Sequence, residues 1–381
     1  MLDTEALTPH DLTQLGAHQF ETDGDELHSL PGTYTQGRRQ RWKRRTAARR
    51  IAYIDDPDHQ PSDSTSPLRR LKTCGLARKD EVVIRYANGR AHATGLLSCG
   101  NVWTCATCSE RIMTRRCAEL ETAYLRHIEA DGQLGLLTLT MRHSRTDDLR
   151  TNLSRLNDSW RQLQQTYQWR QIRQNLIGTV TTVEITHNEE NGWHPHLHIT
   201  LLTTPGTTET SLSAATDQLR SAWSTKVNDT TDRHSLTHGL DLLWWGTDAR
   251  SAARYAAKLA MEMSLRNDKG DNGALALLDN RSATNTARFI EYANATYRRQ
   301  IMRWSAGLRT ALQMEADKTD TELLDDLDAE DEKSDADVNN DNTTTGEEIL
   351  IIAGAHWNEL TEDERLAWIE LAETNRQYSG P

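Results

Sequence analysis

The sequence predicts an α+β protein built around an antiparallel sheet with flanking helices, and three observations support this. Residues 134–143, LGLLTLTMRH, form a strand-like run rich in Leu and Thr. Residues 149–176 then repeat apolar residues at helical spacing. Residues 177–202 contain two strand-like runs, and the Asn-Gly pair between them favours a tight connection.

The later elements complete the pattern of this sheet. A helix is predicted near 213–227, a short apolar strand at 240–245, a helix at 248–266 with Asp248 as its N-cap, and another helix at about 285–304. The order strand, helix, two hairpin strands, helix, strand is that of a ferredoxin-like split βαβ sheet.

The charge of the chain is unevenly distributed. The net charge is −12, but residues 315–348 alone hold 15 acidic and 2 basic residues, so the first 314 residues are mildly basic. A basic body with an acidic tail suits a nucleic-acid partner. No window approaches the roughly 18 consecutive apolar residues of a membrane span. The N-terminus lacks a secretory pattern, so we expect a cytoplasmic protein without membrane contact.

A basic run, GRRQRWKRRTAARR, lies near the N-terminus. It is predicted to bind DNA phosphates, with Trp42 stacking on a base. The alternative is a solvated basic run in a flexible leader. The proposed phosphate-binding residues are Arg38, Arg39, Arg41, Lys43, Arg44 and Arg45.

Four of the five cysteines indicate a structural zinc site. Cys105 and Cys108 form a C-x2-C knuckle, with Cys99 just upstream and Cys74 before a strand-like run. Four thiolates satisfy the tetrahedral preference of Zn²⁺. The alternative is a set of unpaired buried cysteines, which is the interpretation that suits Cys117.

Three histidines at alternate positions predict a metal site on a strand. His194, His196 and His198 point to one face because side chains alternate along a strand. Glu184 lies on the predicted hairpin partner, with apolar neighbours on either side. Two imidazoles and a carboxylate suit Mg²⁺ or Mn²⁺ holding a phosphate, and zinc is also compatible.

Residues 253–263, ARYAAKLAMEM, contain a candidate nucleophile that could act beside such a metal. Tyr255 and Lys258 lie three residues apart, hence on one helical face. A metal and an ammonium nearby favour the phenolate and offset developing phosphate charge. Spacing alone leaves Tyr292 and Tyr297 as competitors.

Four motifs in order resemble the HUH endonucleases, in the version found in replication initiator (Rep) proteins of rolling-circle plasmids. GWHPHLH is similar to the His-hydrophobic-His signature, and LLTLTMRH is similar to the first motif of the family. ARYAAK resembles the Tyr-x-x-Lys motif, and EYANATYRRQ with WSAGLR resembles the C-terminal block. CGNVWTCATCSERIMTRR also resembles the cysteine-rich segment upstream of the core. The resemblance covers roughly residues 70–312.

The resemblance implies sequence-specific nicking and joining of one DNA strand at a plasmid origin. His196 and His198 hold the catalytic Mg²⁺ or Mn²⁺, with Glu184 as third ligand and His194 as the alternative. Tyr255 attacks a phosphate of single-stranded or hairpin origin DNA, forming a 5′-phosphotyrosine, while Lys258 positions the phosphate or the tyrosine. The freed 3′-hydroxyl primes synthesis by host helicase and polymerase.

One position departs from the family pattern. Some relatives place a carboxylate one turn before the nucleophile to activate a terminating water, whereas this chain has Ser251 there. Asp248 and Glu262 lie two turns away on either side. Other functions stay open: an HUH transposase or relaxase, or a non-enzymatic zinc-dependent DNA-binding regulator.

Five segments are therefore predicted along the chain. They are a flexible basic leader at 1–70, a zinc-binding segment at 71–118, an HUH nickase core at 130–312, an acidic disordered linker at 313–348 and a short C-terminal helix at 349–381.

Overall fold

A computed structural model describes residues 31–57, 65–87, 89–227, 239–249, 251–252, 272–332 and 347–378. The strands are β1 (Glu81–Ala87), β2 (Arg90–Thr94), β3 (Leu134–Leu139), β4 (Leu176–Asn188), β5 (Gly192–Thr203), β6 (Leu240–Gly246), β7 (Asn272–Gly273), β8 (Met302–Trp304) and β9 (Glu347–Ala353). The α-helices are α1 (Pro31–Asp55), α2 (Ala106–Glu129), α3 (Leu149–Leu163), α4 (Tyr167–Arg173), α5 (Glu209–Lys226), α6 (Ala283–Thr296), α7 (Leu308–Ala311), α8 (Asp320–Glu332), α9 (Gly354–Glu359) and α10 (Glu362–Tyr378).

The chain divides into two compact units. Among the described residues, those between 113 and 317 form the first unit, and those between 31 and 112 and between 318 and 378 form the second. The middle of the chain thus forms one unit, and the segments before and after it fold together into the other. Helix α2 begins in the second unit and ends in the first.

The first unit is built on an antiparallel sheet with the strand order β6-β3-β5-β4-β7, and β8 pairs with β4 as well. Numbered by their own sequence order, β3, β4, β5 and β6 are arranged 4-1-3-2, which is the split βαβ pattern predicted from the sequence. The longest pairing is the β4–β5 hairpin, in which Glu184 lies opposite His196. The predicted α+β class, with antiparallel sheet and flanking helices, is confirmed.

Helix α3 shows why the apolar stripe forms a helix here. Leu149, Leu153, Leu156 and Leu163 are fully buried along one face, as expected for residues three or four positions apart. The Asp148 side chain accepts hydrogen bonds from the first free backbone N–H groups of the helix. The apolar face of α3 therefore packs against the sheet, and Asp148 caps the N-terminus of the helix.

The second unit contains a smaller antiparallel sheet in the order β2-β1-β9. Its core combines residues from both ends of the chain, because β9 and α10 follow the acidic segment while β1 and β2 precede the cysteine knuckle. The buried cluster consists of Trp42, Val82, Ile84, Ala91, Ile352, Trp357, Leu366, Ile369 and Ala372.

Three expectations about the ends of the chain are corrected by this unit. Residues 31–55 of the predicted flexible leader form α1, and residues 320–332 of the predicted disordered linker form α8. The predicted C-terminal helix segment begins within strand β9, which pairs with β1 before α9 and α10 follow. Composition misled the prediction because the charged side chains of these segments pair with opposite charges far away in the sequence. Arginines of α1 pair with glutamates of α10, and Asp328 of α8 pairs with Arg78 and Arg111. None of the described helices is long and apolar enough to cross a membrane.

Candidate functional site

A group of three potential metal ligands lies on the β4–β5 hairpin. Glu184, His196 and His198 each offer one ligand atom, and these atoms lie within 4.8 Å of one another. His198 Nε2 is 2.7 Å from Glu184 Oε2, and His196 Nδ1 is 3.5 Å from the same oxygen. The antiparallel register creates the group, because Glu184 faces His196 directly and His198 lies two residues further along the same face.

Neighbouring atoms orient the two imidazoles. Thr138 on β3 lies opposite His198 in the sheet, and its Oγ1 is 3.3 Å from His198 Nδ1. This contact leaves Nε2 directed at Glu184, which is the arrangement of a ligand imidazole held from its far side. His196 Nδ1 is buried and makes no hydrogen bond within the described part of the chain. A metal ion would satisfy this nitrogen.

The electrostatics of the group keep the carboxylate charged. Burial alone would raise the pKa of Glu184, but its close contacts and charge interactions with His196 and His198 hold that pKa well below its usual value. A metal requires the deprotonated carboxylate and neutral imidazoles. Two nitrogens and one oxygen suit Mn²⁺, Mg²⁺ or Zn²⁺, and leave coordination positions for a phosphate oxygen.

His194, the alternative third ligand, lies beside the group rather than within it. Its ring is 3.9 Å from the ring of His196 and 4.5 Å from that of His143, measured between centroids. Burial, reinforced by His196 and His143, lowers the pKa of His194 to about 3. The ring is therefore neutral near pH 7 and lies next to His196 without joining the group.

Tyr255 and Lys258 lie outside the described residues, as does Glu262. The helix expected to carry them begins as predicted, because Asp248 Oδ1 accepts a hydrogen bond from the backbone N–H of Ser251 at 2.9 Å. Both competing tyrosines are described. Tyr292 is fully buried, its ring stacks on Trp193 with 5.8 Å between centroids, and burial raises the pKa of its hydroxyl. That environment makes it a packing residue.

Tyr297 lies just after the last residue of α6 and is 36% exposed, with the Arg298 guanidinium 5.1 Å from its ring centre. An exposed phenol that is not among the proposed catalytic residues provides a matched control for Tyr255.

Four buried cysteines of the second unit form the second group of potential ligands. Cys74 Sγ lies 3.7 Å from Cys105 Sγ and 3.8 Å from Cys108 Sγ, and Cys99 Sγ lies 3.6 Å from Cys108 Sγ. All four sulfurs lie within 4.8 Å of one another. Tetrahedral Zn–S bonds of about 2.3 Å place the sulfurs about 3.8 Å apart. The spacing fits Zn²⁺ and is far too long for disulfides.

Cys117 is separate from this group, as the sequence indicates. It is buried on α2, and burial together with Glu121 raises the pKa of its thiol to about 12. Such a thiol stays protonated and packs as a small apolar side chain.

The basic run does not form a free phosphate-binding arm. It lies on α1, where Arg38 and Arg39 pair with Glu373 and Glu370 of α10. Trp42, expected to stack on a base, is only 9% exposed and belongs to the core of the second unit.

The other basic residues of the run have different environments. Arg41 pairs with Glu110 at 2.6 Å and Arg45 with Glu362 at 3.1 Å, while Arg44 is buried. Lys43 is exposed to solvent. The expectation of six DNA-binding side chains is corrected for the buried ones, because helix formation turns one side of α1 into the core and directs these arginines to carboxylates.

Thr138 and His143 were missed by the sequence analysis. Thr138 interrupts a Leu-rich strand, LGLLTL, which is a detectable signal, but only the β3–β5 register shows that it faces His198. His143 follows the strand, and its Nδ1 lies 3.0 Å from the backbone oxygen of Asn191. His143 and His194 are 51 residues apart in the sequence, so their contact could not be predicted from it.

Comparison with known proteins finds similar sequences for the part of the chain that carries most of the potential metal ligands. Residues 99–222 match the family model described as "Replication protein", a segment that includes three of the four clustered cysteines and the Glu184, His196 and His198 group. "Protein rep" of Streptomyces lividans is 27% identical over 323 residues, a match that covers 64% of this chain and 70% of the relative.

Two further relatives match shorter regions. "Neomycin resistance protein" of Streptomyces cyanogenus is 30% identical over 147 residues, covering 32% of this chain and 34% of the relative. "Protein rep" of Streptococcus pneumoniae serotype 2 is 28% identical over 138 residues, covering 35% of this chain and 41% of the relative. These two matches span less than half the length of those relatives. No solved structure matches the chain.

Proposed function

The chain is a relative of plasmid replication proteins, and from that premise we propose that it initiates plasmid replication by nicking one strand of origin DNA. The group formed by Glu184, His196 and His198 carries the proposal, because it offers an open metal site within the matched segment. We assign the site to the HUH class, with Mn²⁺ or Mg²⁺ as the ion. When bound, the metal supplies a positive charge that polarises the scissile phosphodiester.

The chain's own residues supply the rest of the chemistry. The Tyr255 hydroxyl is the proposed nucleophile: its oxygen forms a bond to phosphorus while the bond from phosphorus to the 3′-oxygen breaks. The products are a 5′-phosphotyrosine on the protein and a free 3′-hydroxyl on the DNA, which primes synthesis. Lys258 neutralises phosphate charge beside the tyrosine. Because the covalent link conserves the phosphodiester bond energy, the strand can be rejoined without a nucleotide cofactor.

Thr138 is added to this proposed site as a positioning residue. Its contact with His198 Nδ1 orients the ring so that Nε2 faces Glu184 and would be available to a metal ion. The ring of His194 lies between the rings of His143 and His196, tilted against both.

The cysteine cluster is proposed to hold one structural Zn²⁺ in the second unit. Its sulfur spacing supports a tetrahedral site, and its burial supports a structural rather than a catalytic role, because a closed set of four thiolates leaves no position for substrate. We further propose that the partners are plasmid origin DNA, single-stranded or as a hairpin, and the host helicase and polymerase.

The test is covalent capture of origin DNA. A labelled single-stranded origin oligonucleotide is incubated with the protein and Mn²⁺, and a protein–DNA adduct is sought on a denaturing gel. We expect an adduct with the wild type and with Tyr297→Phe, and none with Tyr255→Phe, because removing the nucleophilic oxygen abolishes the link.

An adduct that survives in Tyr255→Phe, or no adduct with the wild type, would contradict the proposal. The regulator alternative predicts that the Tyr255→Phe variant behaves as wild type in every assay. The transposase or relaxase alternative predicts the same adduct, but on the ends of a mobile element or a transfer origin instead of a replication origin.

A further inference from the structure

A buried arginine lies beside the cysteine cluster although the sequence assigns it to DNA. Arg45 is only 4% exposed, and its Cζ lies 4.1 Å from the centre of the Trp42 ring. Its Nε and Nη2 donate to Glu362 Oε1 at 3.2 and 3.1 Å. A guanidinium stacked and paired in this way is not available to a DNA phosphate.

The residue after Cys74 makes room for this guanidinium. Gly75 has a φ of +82°, and a Cβ built on it would lie 2.5 Å from Arg45 Cζ. The guanidinium thus fills the space next to the Cys74 backbone that a side chain would need. Burial lowers the pKa of Arg45, but Glu362 and the thiols of Cys74 and Cys105 outweigh it. The guanidinium therefore lies against the backbone of the residue next to Cys74, where its charge interacts favourably with the thiols of Cys74 and Cys105.

A second arginine near the cluster is held by carboxylates in a similar way. Arg111, one helical turn after Cys108, donates to Asp328 at 2.6 Å and to Asp331 at 2.9 Å. Burial lowers the pKa of Arg111, while Asp331, Asp328 and the Cys108 thiol raise it. Arg45 and Arg111 both line a cavity of ≈ 330 Å³ to which Cys74 and Cys108 also contribute.

The charge of a tetrathiolate zinc centre explains why two guanidinium groups belong there. Four thiolates around one Zn²⁺ leave two negative charges uncompensated. Burying uncompensated charge is costly unless opposite charge lies close by. A guanidinium stays protonated at any physiological pH, so it supplies that charge without titrating.

We propose that Arg45 and Arg111 compensate the charge of the cysteine-bound zinc and link it to the acidic C-terminal segment, whose carboxylates hold the two guanidinium groups in place. The inference rests on the zinc site proposed above and is independent of the nicking activity. It reassigns Arg45 from DNA binding to metal retention, and it gives the acidic segment of residues 320–378 a defined role.

The experiment measures zinc retention in the full-length protein. Zinc content of the purified protein is determined first, and zinc affinity is then measured by competition with a chromogenic chelator. We expect Arg45→Met and Arg111→Met each to weaken zinc binding by at least about ten-fold, as loss of an outer-sphere partner does at other metal sites. Arg39→Met is the matched control, since this arginine lies on the same helix, is 55% exposed and pairs with Glu370.

A further variant separates charge compensation from simple packing. Glu362→Gln removes the charge that holds Arg45 in place but keeps the shape of the side chain, so we expect zinc binding to weaken, by less than in Arg45→Met. Packing alone predicts that Glu362→Gln leaves zinc binding unchanged. If Arg45→Met does not fold, Arg111→Met and Glu362→Gln decide the question.

The possible failures are distinguishable. Zinc-free, folded wild-type protein would overturn the zinc site itself. Zinc held by the wild type and equally tightly by both Met variants would overturn this inference alone, and unchanged zinc binding in Glu362→Gln would overturn the proposed link to the C-terminal segment. The origin-DNA adduct assay is unaffected by either result.

Discussion

Single side chains decide which of the polar residues on the hairpin can share a metal ion. His194 and His198 flank His196 symmetrically in sequence, but in the structure the potential ligand atoms of His196 and His198 converge with that of Glu184. The ring of His194 instead makes a tilted contact with the ring of His196. The carboxylate completes the group because cross-strand pairing brings it directly opposite His196.

This geometry predicts different outcomes for the two candidate third ligands. We expect Glu184→Gln to weaken Mn²⁺ binding by at least about ten-fold, because it removes the charged oxygen of the group. His194→Gln should bind Mn²⁺ nearly as well as the wild type. Isothermal titration calorimetry of both variants measures the difference, and equal losses would contradict the assignment.

A second prediction at the residue scale concerns acid stability. His127 is 2% exposed and its Nε2 lies 3.2 Å from the Gln133 backbone oxygen. Burial lowers its pKa from 6.5, against smaller contributions from backbone hydrogen bonds. A depressed folded-state pKa gives stability that is fully present above pH 6.5 and is lost as the pH falls toward the folded value.

The measurement is the urea midpoint between pH 7.5 and pH 5. We expect the midpoint to fall less steeply with acidification in His127→Gln than in the wild type, because the variant has one group fewer that gains a proton on unfolding. The exposed His356→Gln variant is the control and should follow the wild type. A parallel decline in both variants would argue against the role of His127.

At the scale of elements, the carboxylate of Glu291 connects α6, α3 and β5 next to the candidate metal site. Glu291 on α6 accepts a hydrogen bond from the backbone N–H of Leu149 at 2.9 Å, at the start of α3. Its other oxygen accepts from Trp193 Nε1 at 3.0 Å, on β5 next to His194. The α6 helix therefore fixes both a helix terminus and the beginning of the ligand-bearing strand.

Removal of one acceptor from this link should cost stability. We expect Glu291→Gln to lower the free energy of unfolding by about 1–3 kcal/mol, because an amide can accept through only one of its two terminal atoms and a buried N–H is left unpaired. Chemical denaturation followed by circular dichroism measures the loss. Glu190→Gln, an exposed residue of the hairpin turn, should leave the free energy of unfolding unchanged.

At the scale of the whole molecule, the order of residues in the chain and their grouping in space differ. The middle of the chain forms the unit with the Glu–His–His group, while residues 30–112 and 318–381 form the unit with the cysteine cluster. Strand β9 completes the sheet that β1 and β2 begin. Trp357 is fully buried there, and its Nε1 donates to the Gly75 backbone oxygen at 3.1 Å.

Trp357 therefore tests whether the C-terminal segment is part of the fold. We expect Trp357→Ala to destabilise the second unit by about 3–5 kcal/mol, because it opens a large cavity in a shared core. Thermal unfolding and protease sensitivity of residues 65–112 measure the effect. Trp368→Ala, at a position 38% exposed, is the control and should change little. If the C-terminal segment were not part of the fold, Trp357→Ala and Trp368→Ala would have the same small effect on stability.

The sequence by itself determined the local patterns of this protein. Period-two and helical spacing identified β3, α3 and the β4–β5 hairpin, because side-chain periodicity follows directly from backbone geometry. The same hairpin pattern indicated Glu184, His196 and His198, and the knuckle spacing indicated the four cysteines. Each of these patterns can be recognised in the sequence because it either spans a short segment or consists of residue types that often bind metals.

The tertiary structure brings together groups that lie far apart in the sequence. It places Thr138 behind His198, brings Glu184 rather than His194 together with His196 and His198, and pairs arginines of α1 with carboxylates of α10 more than 300 residues later. The sequence shows the basic run of α1 and the acidic residues near the C-terminus as separate charged segments. Their pairing becomes visible only in the folded second unit, where β9 joins β1, because long-range pairing leaves no periodic signal along the chain.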